Sequence, residues 1–253
     1  MEKDVAKTVS NESAIRSEIV KAGKKLAERF FVAANDGNIS CRIGENEILI
    51  TPTGVNKGDI REEDILKVDM EGNVISGTMS PTSEMKMHLR VYEIRSDVKA
   101  IVHAHPPTIT GYAACRIPLD REILLPEAIF NLGRIGLTDY ATPTTDEVPE
   151  SVARIVKDCD AIMLANHGAL TVGSTVMDAY YKMETLEMYA RINLTARLLG
   201  KPAYLNEGQI ERLFAIREER GWGTLRSGSE VIDEKLVESI TEIVVKVLQS
   251  HLA

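Results

Sequence analysis

The stretch "AIVHAHPP" (residues 100–107) decides how the rest of the chain is interpreted, because it places two of only five histidines two positions apart at the end of an apolar run. The run predicts a β-strand, and the Pro-Pro pair that follows suits the first turn of a helix. Alternate side chains of a strand share one face, so His103 and His105 point the same way with Cα atoms roughly 6–7 Å apart. This spacing suits two ligands of one metal ion.

A third histidine strengthens the prediction of a metal site. His167 ends a second strand-like run within "AIMLANHGALTVG" (residues 161–173). Gly168 is expected to let the backbone turn sharply there and bring the imidazole to the same centre. Three histidines with an open fourth position are typical of a catalytic zinc site. His88, on a predicted helix, and His251, in the tail, are expected to be structural or solvated.

Glu84 is the candidate acid/base partner of such a metal. It opens a predicted helix that begins near Thr82 or Ser83, and either of these hydroxyl residues could cap the helix. Local sequence alone favours a simpler interpretation, in which an acid at this position is stabilised by the helix dipole.

Small polar turns form a third set of candidates. Such turns, and helix starts, have unpaired backbone N–H groups and hydroxyls that suit a phosphate. Taken singly each is an ordinary turn. The pairs are Gly37-Asn38, Thr53-Gly54 and Thr82-Ser83.

Composition narrows the class of protein. The chain has 253 residues, of which 44% are hydrophobic and 27% charged, as expected for one globular domain or at most two. Its net charge of -8 disfavours non-specific binding to nucleic acid or to anionic membranes. The N-terminus has no apolar core of the signal-peptide type, no run approaches the length of a membrane span, and the three cysteines form no C-x-x-C pattern. These features predict a cytoplasmic α/β protein with free thiols.

Hydrophobic periodicity predicts the order of the elements. Helices are expected over residues 11–32 and 175–199, and in "DEVPESVARIVKD", "EGQIERLFAIREER" and "KLVESITEIVVKVLQ". Strands are expected in "GNISCRI" and "EILIT". A hairpin is expected to follow them in "ILKVDMEGNVIS". A Gly/Ser-rich hinge, "GWGTLRSGS", precedes the last helix. We therefore divide the chain into a domain of residues 1–224 and a C-terminal helix within 225–253, which packs on that domain or on a neighbouring subunit.

Five motifs taken in chain order carry a family resemblance. These are "GNIS" (37–40), "TPTG" (51–54), "PTSE" (81–84), "HAHP" (103–106) and "NHG" (166–168). Together they resemble the class II aldolase/adducin family over roughly residues 22–199. The resemblance implies an α/β sandwich with a central, mainly antiparallel sheet flanked by helices, assembled as a homotetramer.

The resemblance also assigns roles to residues. His103, His105 and His167 would bind Zn²⁺, and Glu84 would be the catalytic acid/base that completes the metal shell in the absence of substrate. The substrate phosphate would lie against Gly37, Asn38, Thr53, Gly54, Thr82 and Ser83. Mn²⁺ or Co²⁺ could replace the zinc, since affinity alone rarely fixes metal identity.

The activity implied is reversible cleavage of a short (deoxy)ketose 1-phosphate into dihydroxyacetone phosphate and an aldehyde. Two related activities stay open: a dehydratase of the methylthioribulose-1-phosphate type and a pentulose-phosphate 4-epimerase. No histidine lies between His105 and His167, which disfavours the epimerase. Glu127, which follows Pro126, is either an acid at a helix start or a second acid/base, and the second interpretation keeps the dehydratase open. A non-catalytic, adducin-like binding module is disfavoured because all three histidines and Glu84 are present.

Overall fold

The computed structural model describes the backbone of residues 2–222 and the side chains of residues 12–222. Its strands are β1 (Asn38–Arg42), β2 (Ile48–Ile50), β3 (Leu66–Val68), β4 (Val74–Ser76), β5 (Ala100–Ala104), β6 (Ile135–Leu137), β7 (Ala161–Leu164) and β8 (Gly168–Gly173). Its α-helices are α1 (Glu2–Glu28), α2 (Met85–Ile94), α3 (Pro107–Ala114), α4 (Glu147–Ala153), α5 (Val176–Leu199) and α6 (Glu207–Glu219). None of these helices is long and apolar enough to cross a lipid bilayer. The predicted C-terminal helix and His251 lie outside the described residues.

The strands form one sheet in the order β4-β3-β2-β1-β5-β8-β7-β6. Within this sheet, β6 and β7 pair in parallel and the other neighbours pair antiparallel. The strand that contains His103, β5, therefore lies in the interior of the sheet between β1 and β8, and it ends one residue before His105. The predicted α/β sandwich with a mainly antiparallel sheet is confirmed.

Alternation along β5 places its residues on two different faces of the sheet. Ala100, Val102 and Ala104 pack in the cluster formed with α1, α3 and α5, whereas Ile101 packs in the cluster formed with α2 and α4. His103 shares the face of Ile101, because side chains two residues apart point the same way. The first histidine is thereby directed towards the helix that Glu84 begins.

Helix α1 follows the predicted periodicity up to its C-terminal end. Ile19, Ala22 and Leu26 are fully buried. Phe30, which the same periodicity predicts to be buried, is 80% exposed. The helix ends at Glu28, and Phe30 then adopts a φ of 58°, so the chain turns and its ring leaves the buried face.

The start of α2 differs from the predicted start. Glu84 is the N-cap residue, and its side chain makes no capping hydrogen bond. Thr82 instead donates its backbone N–H to the Thr51 carbonyl at 3.2 Å, while its own carbonyl accepts from Met85 N at 3.1 Å. Neither Thr82 nor Ser83 is therefore the N-cap residue, but Thr82 Oγ1 accepts a hydrogen bond from the Glu84 N–H at 3.4 Å just before the helix begins.

Candidate active site

Four side chains from different parts of the fold converge at one end of β5. His103 is the next-to-last residue of β5, and His105 directly follows that strand. His167 lies in the turn between β7 and β8, and Glu84 is the N-cap residue of α2. The three imidazole centroids are 4.8, 4.9 and 5.1 Å apart and so form a nearly equilateral triangle. The structure thus brings together the four residues predicted to bind the metal.

The donor atoms of this cluster have the spacing of ligands around one ion. His103 Nε2 lies 3.1 Å from His105 Nε2 and 3.1 Å from Glu84 Oε2, and His167 Nε2 lies 3.2 Å from Glu84 Oε1. Two ligands at ~2.05 Å from a tetrahedral zinc ion are about 3.3 Å apart. Glu84 Oε1 is also buried without a hydrogen bond to any described residue. The three imidazole nitrogens are close enough together to hold one metal ion, and the Glu84 carboxylate lies beside them.

Contacts outside this cluster orient two of the imidazoles. His103 Nδ1 donates to the Ala169 carbonyl at 2.9 Å, which leaves Nε2 directed at the cluster. Asp36 Oδ2 lies 3.5 Å from His105 Nδ1 on the outer side of that ring. Sequence reasoning missed Asp36, although its position directly before Gly37-Asn38 places it beside a predicted site motif.

Gly168, which follows His167, has a different role from the one predicted. The sharp turn assigned to Gly168 is made by Asn166, which has a φ of 58° and accepts a hydrogen bond from Arg116 Nη2 at 3.0 Å. Gly168 is required for space instead. A Cβ at this position would lie 2.5 Å from the Ala104 carbonyl oxygen and 2.5 Å from His105 Cδ2.

The charges of the four groups are set by their burial and by one another. Burial alone would raise the pKa of Glu84, but the facing imidazoles of His103 and His167 hold it well below its usual range. Burial lowers the pKa of His167 to about 4 and also lowers that of His105. Burial would lower the pKa of His103 too, but Glu84 outweighs it and the pKa is raised. These shifts favour an ionised carboxylate on Glu84 and neutral imidazoles on His105 and His167, whereas Glu84 favours the protonated form of His103.

The predicted phosphate-binding turns lie close to these groups. A Cβ on Gly37, whose φ is 73°, would lie 2.6 Å from Val32 Cγ1 and 2.9 Å from the His103 carbonyl oxygen, so only glycine allows this turn beside β5. Thr53 donates its N–H to the Ser80 carbonyl at 3.0 Å, which joins the loop around Gly54 to the segment before α2. Thr53, Gly54 and Ser83 are exposed and Thr82 is buried. Their binding of phosphate stays a prediction.

Asn38 makes contacts that the sequence did not indicate. Its Nδ2 donates to Glu84 Oε2 at 2.8 Å, and its Oδ1 lies 2.5 Å from His88 Nε2. The residue is only 2% exposed. One Nδ2 hydrogen of Asn38 thus orients the Glu84 carboxylate.

Lys57 is a second residue that sequence reasoning missed. Its side chain is almost fully buried, and Nζ donates to the carbonyls of Asn35 at 3.0 Å and Val55 at 2.6 Å. These bonds join the loop that carries Asp36 and Gly37 to the loop that carries Thr53 and Gly54.

Glu127 lies apart from the four convergent groups. It is exposed and is the N-cap residue of a π-helical turn, Ala128–Leu132. Among the described residues, no hydrogen bond or ion pair joins it to the histidines or to Glu84. Its role as a second acid/base stays a prediction.

The fold and the histidine–glutamate cluster together define a class II aldolase-type protein. The family model "Class II Aldolase and Adducin N-terminal domain" matches residues 17–194, and the chain belongs to this family as an enzyme. It is 37% identical to an L-fuculose phosphate aldolase of Methanocaldococcus jannaschii over 186 residues, which cover 74% of this chain and 99% of that protein. It is 32% identical to a 3-oxo-tetronate 4-phosphate decarboxylase of Haemophilus influenzae, with 80% of this chain and 95% of that protein covered. A solved L-fuculose 1-phosphate aldolase has a TM-score of 0.74 at 32% identity and covers 81% of this chain and 96% of its own.

Proposed function

We propose that this enzyme is a zinc-dependent aldolase, similar to L-fuculose-1-phosphate aldolase, that cleaves a short (deoxy)ketose 1-phosphate reversibly into dihydroxyacetone phosphate and an aldehyde. One observation carries the proposal. Three imidazoles and one carboxylate form a cluster in which three pairs of donor atoms lie 3.1–3.2 Å apart. The cluster lies beside turns suited to a phosphate. The resemblance to fuculose phosphate aldolases supports the same substrate class.

The metal would be held by His103, His105 and His167, with Glu84 as a fourth ligand when no substrate is bound. A bound zinc ion would supply Lewis-acid polarisation of the substrate's ketone oxygen. The residues around it do the positioning: the Ala169 carbonyl fixes the tautomer of His103, and Asp36 lies against His105 Nδ1. Mn²⁺ or Co²⁺ suits the same ligands.

Glu84 is the group that moves the proton. In the cleavage direction its carboxylate takes the proton of the C4 hydroxyl, the C3–C4 bond breaks, and C4 leaves as the aldehyde carbon. The electron pair of the broken bond stays on C3 in conjugation with the ketone, and Glu84 returns the proton to C3. No net proton is gained or lost. The hydrogen bond from Asn38 holds one carboxylate oxygen in place for both transfers.

The substrate phosphate would lie in the turns at Gly37, Thr53-Gly54 and Thr82-Ser83, with Asn38 offering its remaining N–H. The positive φ angles of Gly37 and Gly54, 73° and 75°, support this proposal because they turn the backbone at the two places where amides would face an anion. Lys57 supports the arrangement by fixing the two loops to each other.

A second candidate is decarboxylation of a 3-oxo acid phosphate, which the similarity to the Haemophilus influenzae decarboxylase favours. That reaction also breaks a carbon–carbon bond next to a ketone and leaves its electron pair on carbon. The same metal ligands and Glu84 would therefore serve both reactions. The dehydratase depends on Glu127 as a second acid/base.

We also propose a cytoplasmic homotetramer. Cys41, Cys115 and Cys159 are free thiols, as is usual in a reducing compartment. Helix α5 has exposed apolar side chains, including Met188 at 52% and Leu198 at 79%, that support contact with another subunit. Light scattering on the purified protein at micromolar concentration would measure the oligomer directly.

The experiment that tests the activity is a product panel with zinc-loaded and chelator-treated protein. Ketose 1-phosphates of five and six carbons are assayed for dihydroxyacetone phosphate, and a 3-oxo acid 4-phosphate is assayed for CO₂. Zinc-dependent release of dihydroxyacetone phosphate is the expected result. Release of CO₂ alone would establish the decarboxylase instead. Loss of the sugar without dihydroxyacetone phosphate would point to the dehydratase or epimerase, and survival of every compound would refute the proposal.

A further inference from the structure

A buried row of hydrogen bonds leads from Glu84 into the core between β1 and α2. Glu84 Oε2 is bound by Asn38, and Asn38 Oδ1 lies 2.5 Å from His88 Nε2. His88 Nδ1 lies 2.7 Å from Ser40 Oγ, which in turn lies 2.8 Å from Tyr92 Oη. Asn38, Ser40, His88 and Tyr92 are each no more than 2% exposed, so water has almost no access to any member.

The direction of the bonds between Glu84 and Ser40 follows from the carboxylate at the end of the row. An ionised Glu84 only accepts, so Asn38 must turn its NH₂ group towards it and its carbonyl oxygen towards His88. That oxygen only accepts as well, so His88 carries its proton on Nε2 and accepts at Nδ1 from the Ser40 hydroxyl. The Ser40 oxygen is then left to accept from Tyr92, whose hydroxyl also lies 3.4 Å from the Lys99 carbonyl oxygen. Asn38, His88 and Ser40 each therefore have one orientation.

We propose that His88 is a positioning residue: its Nε2–H fixes the amide orientation of Asn38, and Asn38 thereby holds Glu84 in the arrangement that the reaction needs. Without this donor, the Asn38 oxygen is buried without a partner, and a 180° rotation of the amide exchanges the positions of Oδ1 and Nδ2. Its oxygen then faces the carboxylate of Glu84 and repels it. The role assigned to Glu84 rests on the proposed function, whereas the orientation of Asn38 does not.

Two amide substitutions test the proposal as a matched pair. His88→Gln places an N–H near the position of Nε2 and can still donate to Asn38. His88→Asn is one methylene shorter, can reach only the Ser40 side, and leaves Asn38 without its donor. Tyr92→Phe is the control, because it breaks the far end of the same buried row and leaves the bond from His88 to Asn38 intact.

The first measurement is the kinetics of dihydroxyacetone phosphate release. Loss of a residue that orients a metal ligand typically costs 10–100-fold, and we expect a fall of about that size in kcat for His88→Asn with little change in KM. His88→Gln and Tyr92→Phe are expected to stay within a few-fold of the wild type. Equal losses in His88→Asn and Tyr92→Phe would show a merely structural role and overturn the proposal, as would wild-type kcat in His88→Asn.

The second measurement needs no turnover. In protein with ¹⁵N-labelled asparagine, the side-chain amide of Asn38 should show one proton shifted strongly downfield and protected from exchange, because it is bound to a carboxylate in a dry site. The signal should persist in His88→Gln and disappear in His88→Asn. Its absence from the wild type would refute the positioning of Asn38, even if His88→Asn fails to fold. A wild type that shows the signal but no aldolase turnover would refute only the proposed function.

Discussion

Substitution of Gly168 by alanine should displace His105 and weaken metal binding. The new Cβ would lie 2.5 Å from both the Ala104 carbonyl oxygen and His105 Cδ2, whereas carbon atoms in favourable contact are about 3.5–4.0 Å apart. Ala104 is held within the sheet, so the imidazole has to retreat by about 1 Å. A ligand that must approach zinc to about 2.0–2.1 Å cannot then coordinate without distorting the site.

The cost of this substitution should appear in two measurements. We expect zinc affinity, measured by competition with a chromophoric chelator, to fall by at least about 10–100-fold. The free energy of unfolding of the metal-free protein should fall by about 1–3 kcal/mol, the usual cost of overpacking. Gly208→Ala in α6 is the matched control, because its nearest neighbour would be Asn206 Oδ1 at 3.7 Å, and it should bind zinc normally. Wild-type zinc affinity in Gly168→Ala would refute the packing argument.

Three further predictions follow from the charges and hydrogen bonds. Glu84→Gln should keep the fold and bound zinc but lower kcat by about 10²–10⁴-fold, as measured by steady-state kinetics with zinc analysis, and full activity would remove Glu84 from the mechanism. Zinc affinity should rise by about one decade per pH unit until the pH reaches the pKa of His103, because zinc must displace the proton of that imidazole. This pKa lies above its usual value of 6.5. A zinc affinity that is already constant at pH values below 6.5 would contradict this prediction. Burial lowers the pKa of Lys57 to about 8 from 10.5, so the unfolded chain binds more protons between these values and stability should rise with pH there. Denaturant unfolding should therefore show wild type gaining about 1–3 kcal/mol relative to Lys57→Met over that interval, and equal pH profiles would refute it.

Much of the fold could be predicted because the strands carry strong local signals. The apolar run that ends at His103, the run before His167 and the turn around Gly72 each predict an element that the structure contains. The prediction that His103 and His105 point the same way is also confirmed, because their Nε2 atoms lie 3.1 Å apart. The ordered motifs then identified the family, which no single motif could do.

The rest depended on contacts between segments distant in the sequence. Asn38 lies opposite His103 in the pairing of β1 with β5, and no pattern within either strand specifies that register. His88 has a weak local signal, since it lies one helical turn after Glu84 and so on the same face of α2. Lys57 has none, because a buried lysine differs from a surface lysine only in its folded neighbours, and Asp36 has only its position directly before Gly37-Asn38.

Hydrogen exchange into dihydroxyacetone phosphate tests whether the metal site and Glu84 together remove a proton from C3, and this half-reaction requires no knowledge of the aldehyde. The compound is incubated in D₂O with zinc-loaded wild type, with chelator-treated wild type and with Glu84→Gln, and deuterium at C3 is followed by proton NMR. We expect one C3 hydrogen to exchange with zinc-loaded wild type, and little or no exchange in the other two samples. Absence of exchange with the zinc-loaded wild type, or equal exchange after chelation, would contradict the account.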